Sequence, residues 1–135
     1  MYTEKETILI NSTYLTKALL SDLIYPIRVY LEVPMFHLFT KIDSISTSEL
    51  EAKLKEPIQL LDVRTPTEFR RGHIKNAKNV PLTEIGAYTP ATNETLYVIC
   101  HSGVRSKMAA KKLKKKGYDV INVRGGMSAW TGKII

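Results

Sequence analysis

The 135-residue chain contains a single cysteine, Cys100, and this scarcity excludes two kinds of protein. One cysteine forms no disulfide within the chain, and it cannot supply the cysteine clusters that bind structural zinc or iron–sulfur groups. The three histidines, His37, His73 and His101, lack metal-ligand spacing as well. We therefore expect neither a metal ion nor a bound cofactor.

Long apolar runs are also missing. Residues 14–39 are mostly apolar, but charged residues and prolines interrupt them, so no stretch of about 18 apolar residues, as a membrane span requires, occurs. No positively charged segment leads an apolar stretch to a small-residue cleavage site, and we predict no secretory signal. A free thiol then fits a reducing, cytoplasmic setting.

The first 40 residues differ from the rest and hold four of the seven tyrosines. We predict a helix over residues 13–24 within an N-terminal extension over residues 1–40, followed by one domain over residues 41–135. A second hypothesis is that the natural protein starts at Met35, because codons for the Leu-Glu-Val of residues 31–33 can contain a ribosome-binding site. The role of the extension stays open.

Charge is unevenly distributed along the chain, whose net charge is +7. Residues 1–40 hold three basic and four acidic residues, whereas residues 41–135 hold seventeen and nine. The basic excess lies in the part with Cys100, which favours an anionic substrate or an acidic partner. The lysine run of residues 111–116 has no interleaved aromatic or arginine side chain, so we predict no nucleic-acid binding. A solvated helix face is the simpler interpretation of that run.

From residue 41 onward, helix and strand patterns alternate. Capping boxes begin helices at Ser46 and Thr65, and a 3.6-residue apolar period predicts a further helix from Ser106 to Gly117. Short apolar and β-branched runs predict strands over residues 58–63, 78–80, 95–99 and 119–123, and a last helical piece is predicted around residues 127–130. This alternation predicts an α/β fold, a parallel sheet with helices on both faces.

The carboxyl ends of parallel strands meet at one edge of a sheet, where ligands bind. The loops after three of the predicted strands therefore open at the same edge. We expect Arg64, Arg105 and Arg124, which lie in these loops, to be within reach of the Cys100 sulfur.

The loop after the strand at residues 95–99 carries the candidate chemistry. Cys100 ends this strand, Gly103 permits a tight turn, and the basic helix begins at Ser106. A strand, a turn and a helix N-terminus together present a cup of backbone N–H groups, which binds anions. Such a field, with Arg105 nearby, lowers a cysteine pKa from about 8.5 into a range of about 3.5–7.5. We therefore predict that Cys100 is a nucleophile at neutral pH.

These motifs resemble those of the rhodanese-like sulfurtransferases, and they occur in the family's order. The matching segments are Leu-Asp-Val-Arg-Thr-Pro-Thr-Glu-Phe at 61–69, Gly-His-Ile at 72–74, Ala-Lys-Asn-Val-Pro-Leu at 77–82, the loop at 100–106, and Val-Arg-Gly-Gly-Met at 123–127 with Trp130. The resemblance covers residues 40–132. Lys-Asn at 75–76 replaces the Pro-Gly common in the family, which alters only a turn.

The resemblance implies a rhodanese-like sheet and a sulfur carrier. In this interpretation the Cys100 thiolate takes the outer sulfur of a small anionic donor such as thiosulfate, holds it as a persulfide, and passes it to cyanide or a thiol. The residues expected to bind substrate are His101, Ser102, Gly103, Val104, Arg105 and Arg64. A thioredoxin-like protein, a thiol and a cysteine desulfurase are the partners that fit, and the oligomeric state is open.

Several nearby residues have a structural alternative to a catalytic role. Asp62 is expected to accept backbone or arginine hydrogen bonds near the loop. For Arg64, a structural role and a catalytic role fit the sequence equally well. His73 fits a turn histidine held by hydrogen bonds. We expect His101 to point to solvent, where it could tune the thiolate or contact the acceptor. Ser106 either donates to the sulfur or simply occupies the first helical turn.

Two other functions are weighed against sulfur transfer. A cysteine phosphatase also cradles an anion with N–H groups, a cysteine and an arginine, but its loop has five residues between the two. Here four residues separate Cys100 from Arg105, and a smaller ring suits sulfur better than phosphate. A regulatory rhodanese-like binding module is the other alternative, and the presence of Cys100 disfavours it.

Overall fold

The computed structural model describes residues 40–135, where strands and helices alternate as the sequence predicts. The strands are β1 (Asp43–Ile45), β2 (Gln59–Asp62), β3 (Lys78–Asn79), β4 (Leu96–Ile99) and β5 (Val120–Val123). The helices are α1 (Thr47–Lys53), α2 (Pro66–Arg70), α3 (Val104–Lys115) and α4 (Gly126–Ala129). No helix within residues 40–135 combines the length and apolar character that a membrane crossing needs.

The predictions for the start of the chain fall outside the described residues. They are the helix over residues 13–24, the alternative start at Met35 and the extension over residues 1–40. Residues Lys41–Ile135 form one compact unit. The domain boundary after residue 40 stays a prediction.

All five strands are parallel, in the order β1-β5-β4-β2-β3. β4 lies in the middle, and its four residues are all buried. A continuous apolar strand of this kind is typical of a parallel sheet covered on both faces. The predicted α/β fold is confirmed, and its topology places Cys100 at the carboxyl end of the central strand.

Alternate residues of the central strand divide the core into two clusters. Leu96, Val98 and Cys100 belong to one buried cluster, which includes side chains of α3. Tyr97 and Ile99 belong to the other, with side chains of α1 and α4. Helices therefore lie on both faces of the sheet, and Cys100 extends the face packed against α3.

Both predicted capping boxes are present. The Ser46 hydroxyl accepts from the N–H of Glu49, whose carboxylate accepts from the N–H of Ser46. Thr65 and Glu68 make the same reciprocal pair at the start of α2. α2 has only five residues and buries none of them, so the capping box is a large part of what holds it in place.

Two elements differ most from the sequence-based prediction, one by its presence and one by its starting residue. β1 was not predicted, because its three residues at the sheet edge have no pattern of their own and are defined by pairing with β5. α3 begins at Val104, two residues before the predicted start at Ser106. The cause is Gly103, which takes a positive φ of 99° as the N-cap and turns the chain directly into the helix.

Candidate active site

Cys100 lies at the bottom of a tight loop between β4 and α3. Its relative exposure is 0%, and its Sγ accepts a hydrogen bond from the N–H of Gly103 at 3.0 Å. A Cβ at Gly103 would lie 3.3 Å from the backbone nitrogen of Gly125, so the turn also packs closely on the next loop. The loop therefore aims backbone N–H groups at a buried sulfur atom.

The environment of the thiol favours its charged form. Burial alone would raise the Cys100 pKa, but hydrogen bonds to the sulfur outweigh burial and hold the pKa below its ordinary value. The groups that lower it are the Ser106 side chain and the backbone N–H groups of Ser106, Gly103 and Ser102. The surroundings of Cys100 therefore favour the thiolate more than an ordinary thiol environment does.

Ser106 occupies the first helical turn, the structural alternative given for it, and its hydroxyl lies where it influences the Cys100 thiol. The residue is fully buried. Its Oγ has no hydrogen-bond partner of regular geometry among residues 40–135, yet this hydroxyl lowers the pKa of Cys100. A buried hydroxyl without another partner is available to donate to a negatively charged sulfur.

The carbonyl groups of the loop are held from the other side by α4. The N–H of Met127 donates to the carbonyl of Cys100 at 2.8 Å, and the N–H of Ser128 donates to that of His101 at 2.9 Å. A Cβ at Gly126 would lie 2.4 Å from the Cys100 carbonyl oxygen, and φ at this residue is +57°. Only glycine permits this approach. The sequence placed Gly126 in the loop after the last strand, but it did not predict the contact with the Cys100 carbonyl.

Arg105 forms a bidentate pair with Glu68, which closes the capping box that Thr65 opens at the start of α2. Its two terminal nitrogens donate to the two carboxylate oxygens at 2.8 and 2.7 Å. The Arg105 guanidinium is the main cause that holds the Glu68 pKa well below its usual range. Glu68 in turn is the first cause of a raised Arg105 pKa, to which the charge of Cys100 also contributes. Glu68 was predicted as a helix cap alone, so its part in the site was missed.

Asp62 and Arg64 form a buried pair at the end of β2. Their relative exposures are 0% and 6%, and the Arg64 side chain donates to both Asp62 carboxylate oxygens at 2.7–3.0 Å. Arg64 also donates to the carbonyl of Gly72 at 2.8 Å. The expectation for Asp62 is confirmed. This geometry favours the architectural alternative for Arg64, whose contact with substrate stays a prediction.

The other candidate residues differ in position and exposure. His101 and Ser102 are exposed, as expected for His101, and Val104 is exposed to 66%. His73 is a turn residue, hydrogen-bonded through Nδ1 to the carbonyl of Phe69 and stacked on its ring. The Arg124 side chain is 63% exposed, with a nitrogen 3.7 Å from a Glu49 carboxylate oxygen.

Comparison with known proteins shows which family the chain belongs to. Residues 46–133 match the model of the rhodanese-like domain. The chain belongs to the rhodanese-like family. The resemblance drawn from the sequence motifs is confirmed.

Relatives of this rhodanese-like chain differ in length. It is 41% identical to the protein YrkF of Bacillus subtilis over 99 residues, which cover 70% of this chain and 54% of YrkF, about half its length. It is 38% identical over 93 residues to a protein of Allochromatium vinosum named sulfurtransferase, covering 67% of this chain and 86% of that one. A crystal structure of a rhodanese-like domain protein from Staphylococcus aureus is 40% identical, with a TM-score of 0.62, covering 68% of this chain and 94% of that one.

Replacing Ser106 with alanine tests the hydrogen bonding of the sulfur. We expect the thiolate to form at higher pH in Ser106→Ala, because a group that favours the charged sulfur is lost. The measurement is a pH titration of thiolate ultraviolet absorbance, to which Cys100 contributes as the only thiol. Ser102→Ala is the control, since Ser102 acts through its backbone N–H, and its midpoint should equal that of the wild type. An unchanged midpoint in Ser106→Ala would contradict the role of the hydroxyl.

Gly126→Ala tests the contact between α4 and the loop. Gly117→Ala is the matched control, because Gly117 also has a positive φ of 94° but nothing within 4 Å of an added Cβ. We expect about 1–2 kcal/mol of destabilisation in the control from the backbone alone, and about 1–3 kcal/mol more in Gly126→Ala from the collision with the loop. Denaturant unfolding measures both.

The thiolate titration provides a second measurement on this pair of glycine variants. Gly126→Ala should raise the Cys100 pKa as the loop shifts, whereas Gly117→Ala should leave it unchanged. Equal effects of the two substitutions on stability and on the thiol would show that the close approach is unimportant.

Proposed function

We propose that this protein is a sulfurtransferase that carries sulfane sulfur as a persulfide on Cys100. The thiolate attacks the outer sulfur of a donor such as thiosulfate, a bond forms between the two sulfur atoms, and the donor's sulfur–sulfur bond breaks. Its electron pair leaves with sulfite. The persulfide anion then gives its outer sulfur to cyanide or to a thiolate, and Cys100 leaves as the thiolate.

The observation that carries the proposal is the buried Cys100 sulfur within a loop of inward N–H groups. Gly103 donates to Sγ at 3.0 Å, and the pKa of the thiol is lowered despite burial. Sulfur transfer to Cys100 places the negative charge on the outer sulfur of the persulfide. The backbone N–H groups of the loop already point inward, so they stabilise this charge without rearrangement. The four-residue spacing between Cys100 and Arg105 suits sulfur better than a phosphate group.

Arg105 is the proposed contact of the anionic donor. Glu68 holds its guanidinium in a fixed bidentate geometry while each side chain stays about one-third exposed, 33% and 32%. The rim residues His101, Ser102, Gly103 and Val104 are assigned to substrate binding in the same proposal. Arg64 supports substrate binding indirectly, because its ion pair with Asp62 fixes the neighbouring loop.

The acceptor in this proposal is a thiol. A small thiol or a thioredoxin-like protein fits as the acceptor, because each brings a thiolate that can take the outer sulfur of a persulfide. A cysteine desulfurase fits as a partner on the donor side, because it offers sulfane sulfur to the Cys100 thiolate. A reducing, cytoplasmic setting suits a free cysteine that must return to the thiolate after each cycle.

Persulfide formation is the first test. After incubation with thiosulfate, the wild-type protein should gain the mass of one sulfur atom and show thiosulfate:cyanide activity, while Cys100→Ser should do neither. Lys112→Ala, at an exposed position of α3 away from the loop, serves as a control for folding, and it should still gain the sulfur. A wild-type protein that gains no sulfur from any sulfane donor would overturn the proposal and favour a regulatory binding module. Turnover of a phosphate ester would favour a phosphatase instead.

Substituting Glu68 tests how donor charge is recognised. Glu68→Gln keeps an acceptor for the cap but removes the charge that compensates Arg105, so binding of a dianionic donor should strengthen by about 1 kcal/mol, roughly a fivefold lower KM for thiosulfate. Glu49→Gln is the matched control, because Glu49 also closes a capping box but pairs with Arg124. Its KM should stay at the wild-type value. Equal changes in both variants would contradict a specific role of the pair.

A further inference from the structure

A groove lies beside the catalytic loop, between the exposed side of α3 and the β1–β5 edge of the sheet. Its volume is about 460 Å³, and it shares Ser102 and Gly103 with the loop that holds Cys100. Its other lining side chains include two lysines and a methionine of α3, an asparagine of β5 and the arginine that follows β5. We call this feature the α3 groove.

The α3 groove is basic. Lys107 and Lys111 lie one helical turn apart along its wall, and both are exposed. Neither lysine side chain has an ion-pair or hydrogen-bond partner within residues 40–135. Arg124 lines the groove as well, and its only carboxylate neighbour in that part of the chain is Glu49, 3.7 Å away. Three cations with so little compensation select an anionic partner.

Apolar side chains adjoin these cations. Val104 and Met108 also lie one turn apart on α3, line the groove, and are exposed to 66% and 50%. They are two of the four large apolar side chains that residues 40–135 expose. Exposed apolar groups beside a functional loop are typical of a protein interaction surface, and methionine adapts well to a partner's shape.

The amide oxygen of Asn122 also lacks a hydrogen-bond donor within residues 40–135. The residue lines the groove with a relative exposure of 3%. Its Nδ2 donates to Ser44 only over a long 3.4 Å. A buried amide oxygen without a donor is costly, and a ligand with an N–H group would satisfy it. A peptide backbone supplies such a group, whereas a simple carboxylate or inorganic anion does not.

We propose that the α3 groove docks an acidic peptide segment of an acceptor protein and brings that protein's thiol to the sulfur on Cys100. Carboxylates of the segment pair with Lys107, Lys111 and Arg124, its apolar residues cover Val104 and Met108, and its backbone donates to Asn122. The inference rests on the proposed sulfur transfer for the final step. There the acceptor thiolate forms a bond to the outer sulfur, the bond from that sulfur to Sγ breaks, and Cys100 leaves with the electron pair as the thiolate.

Binding tests the α3 groove independently of sulfur chemistry. The probe is a fluorescent ten-residue peptide of glutamate and leucine with serine in place of the reactive cysteine, and its counterpart carries lysine in place of glutamate. The full chain should bind the acidic peptide at least tenfold more tightly than the basic one. Lys107→Glu/Lys111→Glu should lose this preference. Lys112→Glu/Lys115→Glu, which makes the same charge change on exposed lysines of the same helix outside the groove, should retain most of it.

The second measurement is the rate of sulfur transfer to forms of the same peptides that contain cysteine. Starting from persulfidated protein, the acidic peptide should gain a sulfur atom at least tenfold faster than the basic one, with the advantage lost in Lys107→Glu/Lys111→Glu. The rate with the uncharged thiol 2-mercaptoethanol should be equal in all variants.

Three results would overturn the docking proposal. They are equal binding of the two peptides, an equal loss in the two double variants, and a free acidic tripeptide thiol that reacts as fast as the longer peptide. Failure of the wild type to form any persulfide would instead overturn the proposed function, while the binding measurement would still decide whether the groove selects acidic peptides.

Discussion

The need to favour the charged form of a buried thiol is the constraint on which the rest of the site depends. Cys100 has no exposed surface, and burial by itself favours the neutral thiol. The loop counteracts burial by turning its N–H groups inward, and this is possible only if its carbonyl groups have partners elsewhere. The N–H groups of Met127 and Ser128 supply those partners. The glycine turn after β5 is therefore as much a part of the site as the loop itself.

The charged residues around the loop form two pairs with different consequences. The Asp62–Arg64 pair is buried, and Arg64 also donates to the Gly72 carbonyl, so the pair fixes the end of β2 and presents little charge to a ligand. The Glu68–Arg105 pair is partly exposed, so its guanidinium can meet an anion while the carboxylate keeps it oriented. Of the three arginines predicted near the sulfur, Arg105 is thus the one that best combines position and access.

The sequence predicted the features that local patterns encode. Short apolar and β-branched runs located β2, β4 and β5, a 3.6-residue apolar period located α3, and capping boxes located α1 and α2. The reactive loop followed from a cysteine between a strand and a helix. The features it did not predict depend on distant contacts, such as the approach of Gly126 to the Cys100 carbonyl and the pairing of Glu68 with Arg105 across 37 residues. The local sequence predicts only one role for each of these residues, a glycine in a loop and a member of a capping box. The second role depends on contacts that form only in the folded protein.

In the proposed mechanism, the loop holds the outer sulfur of a persulfide as an anion. A crystal structure of the protein after reaction with thiosulfate would show this state directly. We expect electron density for one extra sulfur bonded to Cys100 Sγ, within hydrogen-bonding distance of the N–H groups of residues 101–105, with the loop backbone unchanged. An outer sulfur that points away from these groups, or a loop that must refold to accommodate it, would show that the loop does not stabilise a persulfide.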